Sequence, residues 1–215
     1  MSNHKSNAPT VADHVGRQIS RYGLTTAPIV ARTLCDGDRR LAERTLHVLR
    51  ERRRVVAHTA GRLTYYTRGD RPLSPQALDK RLSILWYCGM TPPPKQLLAL
   101  GRLRKLELPP LPCYMSKQGV VTWIRVHPRN MAAEGRTLQD ALIRLQEPVR
   151  RPEFKRLAYF AKEGRFAIDY LMRSQREAAE FDLWLHRRPL FTPLRDPPVH
   201  IPVNVVVMSP ATRSP

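Results

Sequence analysis

Arg40, Arg44 and His47 follow one another at spacings of four and three residues. On a helix that spacing puts three hydrogen-bond donors along one side. Guanidinium forks and imidazoles so arranged suit guanine edges and phosphate oxygens. Arg39 and Arg50 belong to the same segment, and Arg62 and Arg68 follow shortly after it. A second group, Trp123, Arg125 and His127, alternates at strand spacing. An aromatic ring among basic groups on one strand face is a surface on which unpaired bases stack. The plainer reading of that trio, an ordinary half-exposed strand, is the favoured one.

Metal and cofactor chemistry find no template. The sequence has no Walker loop, no G-x-G-x-x-G, no G-x-S-x-G and no H-E-x-x-H. Seven histidines lie scattered without paired spacing, and Cys35, Cys88 and Cys113 stand far apart with no C-x-x-C. That cysteine usage argues against a disulfide scaffold and fits a reducing cytoplasm. Glu177, Glu180 and Asp182 read as the solvated face of a helix that Phe181, Leu183, Trp184 and Leu185 pack. The expectation is therefore no metal and no cofactor.

The balance of charge points to a polyanion. The chain has 215 residues, 37 Lys plus Arg against 18 Asp plus Glu, and a formal net charge of +19. Such an excess repels itself and implies an anionic partner, nucleic acid ahead of a membrane surface. No apolar run reaches the ~18 residues of a membrane span. Hydrophobic residues at 42% are enough to build a core.

The elements that must hold these groups can be read from periodicity. Thr10 caps a first helix whose Val11, Val15, Ile19 and Tyr22 share a face until Gly23. Thr26 is placed to cap a second helix, with Pro28 in its first turn. Asp38 caps a third, running to about Arg53, with Leu41, Thr45, Val48 and Leu49 as its apolar stripe. The runs "VVAHT" and "RLTYYT" alternate around Ala60-Gly61 and read as a β-hairpin. Residues 69–93 form a linker with a packing helix marked by Leu78, Leu82, Leu85 and Trp86. A further helix is expected over "KQLLALGRLRK". Residues 94–208 then alternate strands and helices, the pattern of a small α/β domain. Its expected helices include 137–146 and 153–162. The tails, 1–9 and 209–215, are disordered by composition.

Three helices followed by a hairpin, with the Gly61-Arg62 and Tyr65-Tyr66 pairs in the second strand, resemble the winged helix-turn-helix superfamily over residues 10–68. The resemblance implies an α+β chain in which helix 38–53 enters the major groove and the hairpin 55–67 lies over adjacent phosphates. Winged helices also dock proteins, and charge separates the two uses. From Asp38 to Arg54 there are seven arginines against three acids. The implied DNA-binding set is Arg39, Arg40, Arg44, His47, Arg50, Arg62 and Arg68.

By domain order the whole chain resembles, more distantly, the replication-relaxation family of plasmids and integrative elements. There the second domain is a degenerate restriction-endonuclease-like fold. A live nuclease of that fold needs an Asp and a Glu-x-Lys on neighbouring strands to hold Mg²⁺ near the scissile phosphate. The only Glu-x-Lys tripeptide is Glu153-Phe154-Lys155, which follows Pro152 and opens a helix. Asp169 sits on a strand-like run with no lysine in register. The expectation is a non-enzymatic, cytoplasmic DNA-binding regulator or accessory factor of a mobile element, acting as a homodimer or within a larger nucleoprotein complex. The alternative is a basic subunit of a ribonucleoprotein that binds RNA or single strands.

Overall fold

The computed structural model describes residues 9–127, 130–146, 154–187 and 201–208. The chain divides into two compact units, one running to Met90 and the other from Thr91. Among the described residues there are eight helices and two sheets, a mixed α and β composition.

The first unit opens with α1 (Val11–Tyr22), α2 (Ala27–Leu34) and α3 (Arg39–Glu51). Thr10 and Asp13 form a reciprocal capping box at the start of α1. The Thr10 N–H and the Thr10 hydroxyl both donate to Asp13 Oδ2, which holds the Asp13 carboxyl below its ordinary value. Gly23 closes α1 in the left-handed conformation at φ 79°, its N–H donating to the Ile19 carbonyl at 2.7 Å. Val15 and Ile19 of α1, Val30 and Ala31 of α2, and Ala42, Leu46 and Leu49 of α3 form one core with Val55. The hairpin β1 (Val56–Ala60) and β2 (Leu63–Thr67) follows. Its Tyr66 exchanges both backbone hydrogen bonds with Thr25, each 2.9 Å, which fastens the hairpin to the α1–α2 connection. The helix of the expected linker is α4 (Pro75–Met90) and packs within this unit. It meets α2 at Gly89, where an added Cβ would come within 3.2 Å of Thr33 Cγ2.

The second unit is built on a four-stranded sheet. Its strands are β3 (Cys113–Met115), β4 (Val121–Val126), β5 (Phe166–Met172) and β6 (Val203–Val207), in that spatial order. β3 runs antiparallel to β4, whereas β4, β5 and β6 are parallel. Before β3 comes α5 (Leu100–Lys105); α6 (Met131–Gln146) and α7 (Lys155–Lys162) link β4 to β5, and α8 (Gln175–His186) links β5 to β6. Trp123, Ile168 and Tyr170 share one core with Leu138 of α6, Leu157 and Phe160 of α7, and Phe181 of α8. These three helices therefore cover the same sheet face. Parallel connections that step in one direction and share one handedness put their helices on one face.

Several local expectations are corrected. The helix expected over "KQLLALGRLRK" is shortened to Leu100–Lys105. Leu97 instead bridges Tyr114, and the Leu98 N–H donates to the Cys113 carbonyl at 2.7 Å. Pairing with the sheet edge outcompetes local helix propensity there. The helix expected from 137 begins at Met131, with Asn130 Oδ1 accepting from the Ala133 N–H. The expected disordered tails lie outside the described residues, apart from Pro9.

Thr26 was expected to cap α2, yet its side chain makes no cap bond. It is 0% exposed, and Oγ1 has no hydrogen-bond partner among the described residues. Its backbone carbonyl alone serves the helix, accepting from the Val30 N–H at 3.0 Å. A buried hydroxyl without a partner costs about 1–3 kcal/mol, and valine has the same shape without the hydroxyl. Thr26→Val is expected to raise unfolding stability by about 1 kcal/mol. Urea titration of the full chain checks this, and destabilisation would mean that the hydroxyl is satisfied after all.

Candidate nucleic-acid interface

Asp38 Oδ1 accepts from the Leu41 N–H at 2.9 Å and starts α3 as its cap. The helix buries Ala42, Leu46 and Leu49, with Leu41 and Thr45 partly buried. This shifts the expected stripe, because Val48 is 44% exposed. At 100° per residue, the direction opposite the buried stripe carries Arg40, Arg44 and His47. All three are exposed.

The exposed basic groups of α3 are not equivalent. Arg39 Nε donates to Glu43 Oε1 at 3.0 Å. Arg50 lies 3.6 Å from Glu51 and contacts His47 Nδ1 at 3.3 Å. An arginine only donates, so Nδ1 of His47 is the acceptor and Nε2–H is left to point outward. Arg40 and Arg44 have no ion-pair partner among the described residues. Exposed pairs such as Arg39–Glu43 are worth less than about 1 kcal/mol and exchange readily for a phosphate.

The helix ends in Arg52-Arg53-Arg54, all exposed. The Arg54 N–H donates to the Leu49 carbonyl at 2.9 Å and the Arg53 N–H to the Arg50 carbonyl at 2.8 Å. That is the Schellman pattern, whose C′ residue is usually glycine. Here it is Arg53, at φ 52°. Four arginines around this helix end complement its negative dipole pole.

In the hairpin, Ala60 pairs with Leu63, so the turn is Gly61-Arg62 and not Ala60-Gly61 as expected. Gly61 has φ 61°, the positive value that the first position of a type II′ turn requires. Arg62 is thereby carried to the exposed tip. Below it, His58 stacks on Tyr65 with centroids 5.2 Å apart, and the Tyr65 hydroxyl accepts from the Leu73 N–H at 3.0 Å. Arg68 turns back: its NH2 donates to the Gly16 carbonyl of α1 at 3.1 Å. The structure thus gathers Arg39, Arg40, Arg44, His47 and Arg50 on one helix, puts Arg62 at the hairpin tip, and uses Arg68 as a brace.

The second expected surface is not an open platform. Trp123 is 7% exposed and belongs to the core. The Arg125 guanidinium lies 4.4 Å from the Trp123 ring centroid and 5.8 Å from that of Tyr170. It forms an ion pair with Glu134, and both side chains are mostly buried. Glu134 also accepts from the Tyr170 hydroxyl, which burial pushes well above its ordinary titration range. His127 is half-buried. Strand alternation placed Trp123 and Arg125 on one face correctly, but that face is the one α6, α7 and α8 cover.

An aromatic-basic stripe that the sequence reading missed lies on α7. Lys155, Arg156, Tyr159 and Lys162 are exposed along one side, with Tyr159 46% exposed and the Arg156 guanidinium 5.0 Å from its ring centroid. The spacing of Lys155, Tyr159 and Lys162, four and three residues, was the available signal.

Of the hydrolytic residues, Glu153 lies outside the described residues. Lys155 opens α7 and is on no strand. Asp169 is on β5 and 2% exposed, its Oδ2 accepting from the Tyr114 hydroxyl at 2.9 Å and its Oδ1 from Asn204 Nδ2 at 2.8 Å. Among the described residues no cluster of three His, Cys, Asp or Glu side chains could hold a metal ion. Burial pushes the Cys113 thiol up to about 12 and raises that of Cys35, so neither is a thiolate at neutral pH.

Arg53→Gly is expected to raise stability by about 0.5–1 kcal/mol, because relief of the left-handed backbone exceeds the extra unfolded-state freedom of glycine. Thermal unfolding checks this, and an unchanged or lower midpoint would contradict the Schellman assignment. Compared with known proteins, the chain matches no family model, no curated protein and no solved structure.

Proposed function

We propose that the N-terminal unit is a winged helix-turn-helix that reads duplex DNA. In this reading α3 enters the major groove and the β1–β2 hairpin is the wing over flanking phosphates. The observation that carries it is the outward side of α3, where Arg40, Arg44 and His47 stand opposite the buried Ala42, Leu46 and Leu49. None of the three has an acidic partner among the described residues, so their donors are available to base edges. Arg39 and Arg50 flank them, and Arg62 at the hairpin tip is a phosphate contact. The net charge of +19 supports a polyanionic partner over a protein-docking role.

On this reading the chain is a DNA-binding regulator or a DNA-processing accessory factor of a mobile element, akin to the replication-relaxation family that its domain order resembles. It works in the cytoplasm, as a homodimer or within a larger nucleoprotein assembly. Among the described residues no helix is long and apolar enough to cross a membrane. The second unit acts as a non-catalytic scaffold. What supports this is the commitment of Asp169 to Tyr114 and Asn204, together with the helical setting of Lys155.

A second reading, binding to RNA or single strands, is favoured by the α7 stripe. An exposed tyrosine among Lys155, Arg156 and Lys162 suits stacking of an unpaired base, worth about 1–3 kcal/mol per base.

Fluorescence anisotropy against duplex DNA, single-stranded DNA and structured RNA at several salt concentrations separates the readings. Duplex selected from a random pool is expected to bind best. Arg44→Ala is expected to cost about 1–3 kcal/mol on the selected duplex and much less on others. Arg62→Ala is expected to weaken every duplex and lower the magnitude of the salt slope by about one. Preference for single strands or RNA, with Tyr159→Ala more damaging than Arg44→Ala, would overturn the duplex reading in favour of the second.

A further inference from the structure

We propose that a cleft in the N-terminal unit, apart from the outward side of α3, is a receptor for a phosphoryl group. The cleft lies between the end of α1, the segment following β2, and α4, and encloses about 410 Å³. Small-molecule sites fall in the range of about 300–1,000 Å³. Three guanidinium groups line it, those of Arg68, Arg71 and Arg81, and none of the residues lining it is acidic.

Like charges gathered in one cleft repel one another, and here two of them are held in place by backbone. Arg68 NH2 donates to the Gly16 carbonyl at 3.1 Å, and Arg81 NH1 approaches the Gly23 carbonyl at 3.5 Å. Gly23 closes α1, so the Arg81 charge sits at the negative pole of that helix. The glycine is favoured by its φ of +79°, and a Cβ there would push the Arg81 guanidinium out of this position. Each guanidinium carries five N–H donors, so one carbonyl contact leaves most of them unused. Arg71 is exposed and has no hydrogen-bond or ion-pair partner among the described residues.

The remaining lining narrows the ligand class. The Ser20 hydroxyl is already given to the Gly16 carbonyl at 2.8 Å and that of Thr67 to the Gly69 carbonyl at 2.8 Å. The arginines are therefore the donors left over. Three positive charges, two of them held by backbone, match a phosphate dianion or a polyphosphate better than a carboxylate, and planar forks bind its oxygens in pairs. Half-buried Leu73 adds apolar surface against which an organic body attached to the phosphate can lie. The same chemistry is offered by a free phosphorylated small molecule and by a backbone phosphate of nucleic acid. The proposal does not depend on α3 reading duplex DNA.

Isothermal titration of the full chain with inorganic pyrophosphate, with ATP and with a short duplex tests it. The variants are Arg71→Ala, Arg71→Glu and Arg81→Ala, beside Arg32→Ala, an exposed arginine outside the cleft. Arg71 touches nothing that holds the fold, and equal melting temperatures confirm that its variants are folded. The expected result is saturable binding of pyrophosphate or ATP that falls about tenfold or more in the cleft variants and is unchanged in Arg32→Ala. If neither small probe binds but the cleft variants weaken the duplex about tenfold while Arg32→Ala does not, the phosphate comes from nucleic acid and the site stands. Equal effects of Arg32→Ala and the cleft variants would mean diffuse charge, and no effect on any probe would mean no site; either overturns the proposal.

Discussion

Burial of Ala42, Leu46 and Leu49 against α1 and α2 fixes the rotation of α3 about its axis. With it is fixed the direction in which Arg40, Arg44 and His47 point. Each of these buried residues is 3% exposed or less, so turning the helix by one residue, 100°, would pull the stripe out of the core. Three buried apolar side chains make that rotation cost several kcal/mol, of the order of the whole stability of a small unit. The basic face is thus positioned by hydrophobic packing on the far side of the same helix, and needs no contact of its own to hold it.

Charge imposes the opposite demand. Arg40 and Arg44 stand four residues apart on one helix face, a like-charge pair that costs about 0.2–0.5 kcal/mol. Arg53 occupies a left-handed position where glycine would be easier. Arg68 and Arg81 are drawn to carbonyls of α1, which spreads part of the excess over helix dipoles. The second unit meets the same problem differently: Arg125 is mostly buried, and there it is paired with Glu134 and stacked on Trp123. Buried cations need partners, whereas exposed ones need only water or a polyanion. The contrast between Arg125 and Arg44 is one reason for proposing α3 of the first unit, and not the Trp123–Arg125 strand face, as the nucleic-acid interface.

Much of the architecture was legible before any coordinates. The Thr10 capping box, Gly23, the Asp38 cap and the alternation of the hairpin are local signals, and local hydrogen bonding decides them. What could not be read depends on distant neighbours. Val48 looked like a stripe residue because periodicity alone cannot tell the centre of a buried arc from its edge. The turn moved by one residue because register depends on which pairs close the hairpin. Arg68 and Arg125 look like any other arginine in sequence; only the fold brings one to Gly16 and the other to Glu134. Trp123 and Arg125 were placed on the right strand and the same face, but sequence did not reveal that α6, α7 and α8 would cover that face.

The central claim is that one helix side, set by a buried stripe, is the surface that meets nucleic acid. Amide hydrogen exchange of the full chain, free and saturated with its best-binding duplex, tests it most directly. The account predicts added protection along α3 and at the Gly61-Arg62 turn, with α7 unchanged. Protection confined to α7 and its neighbours, with α3 exchanging as in the free protein, would contradict it.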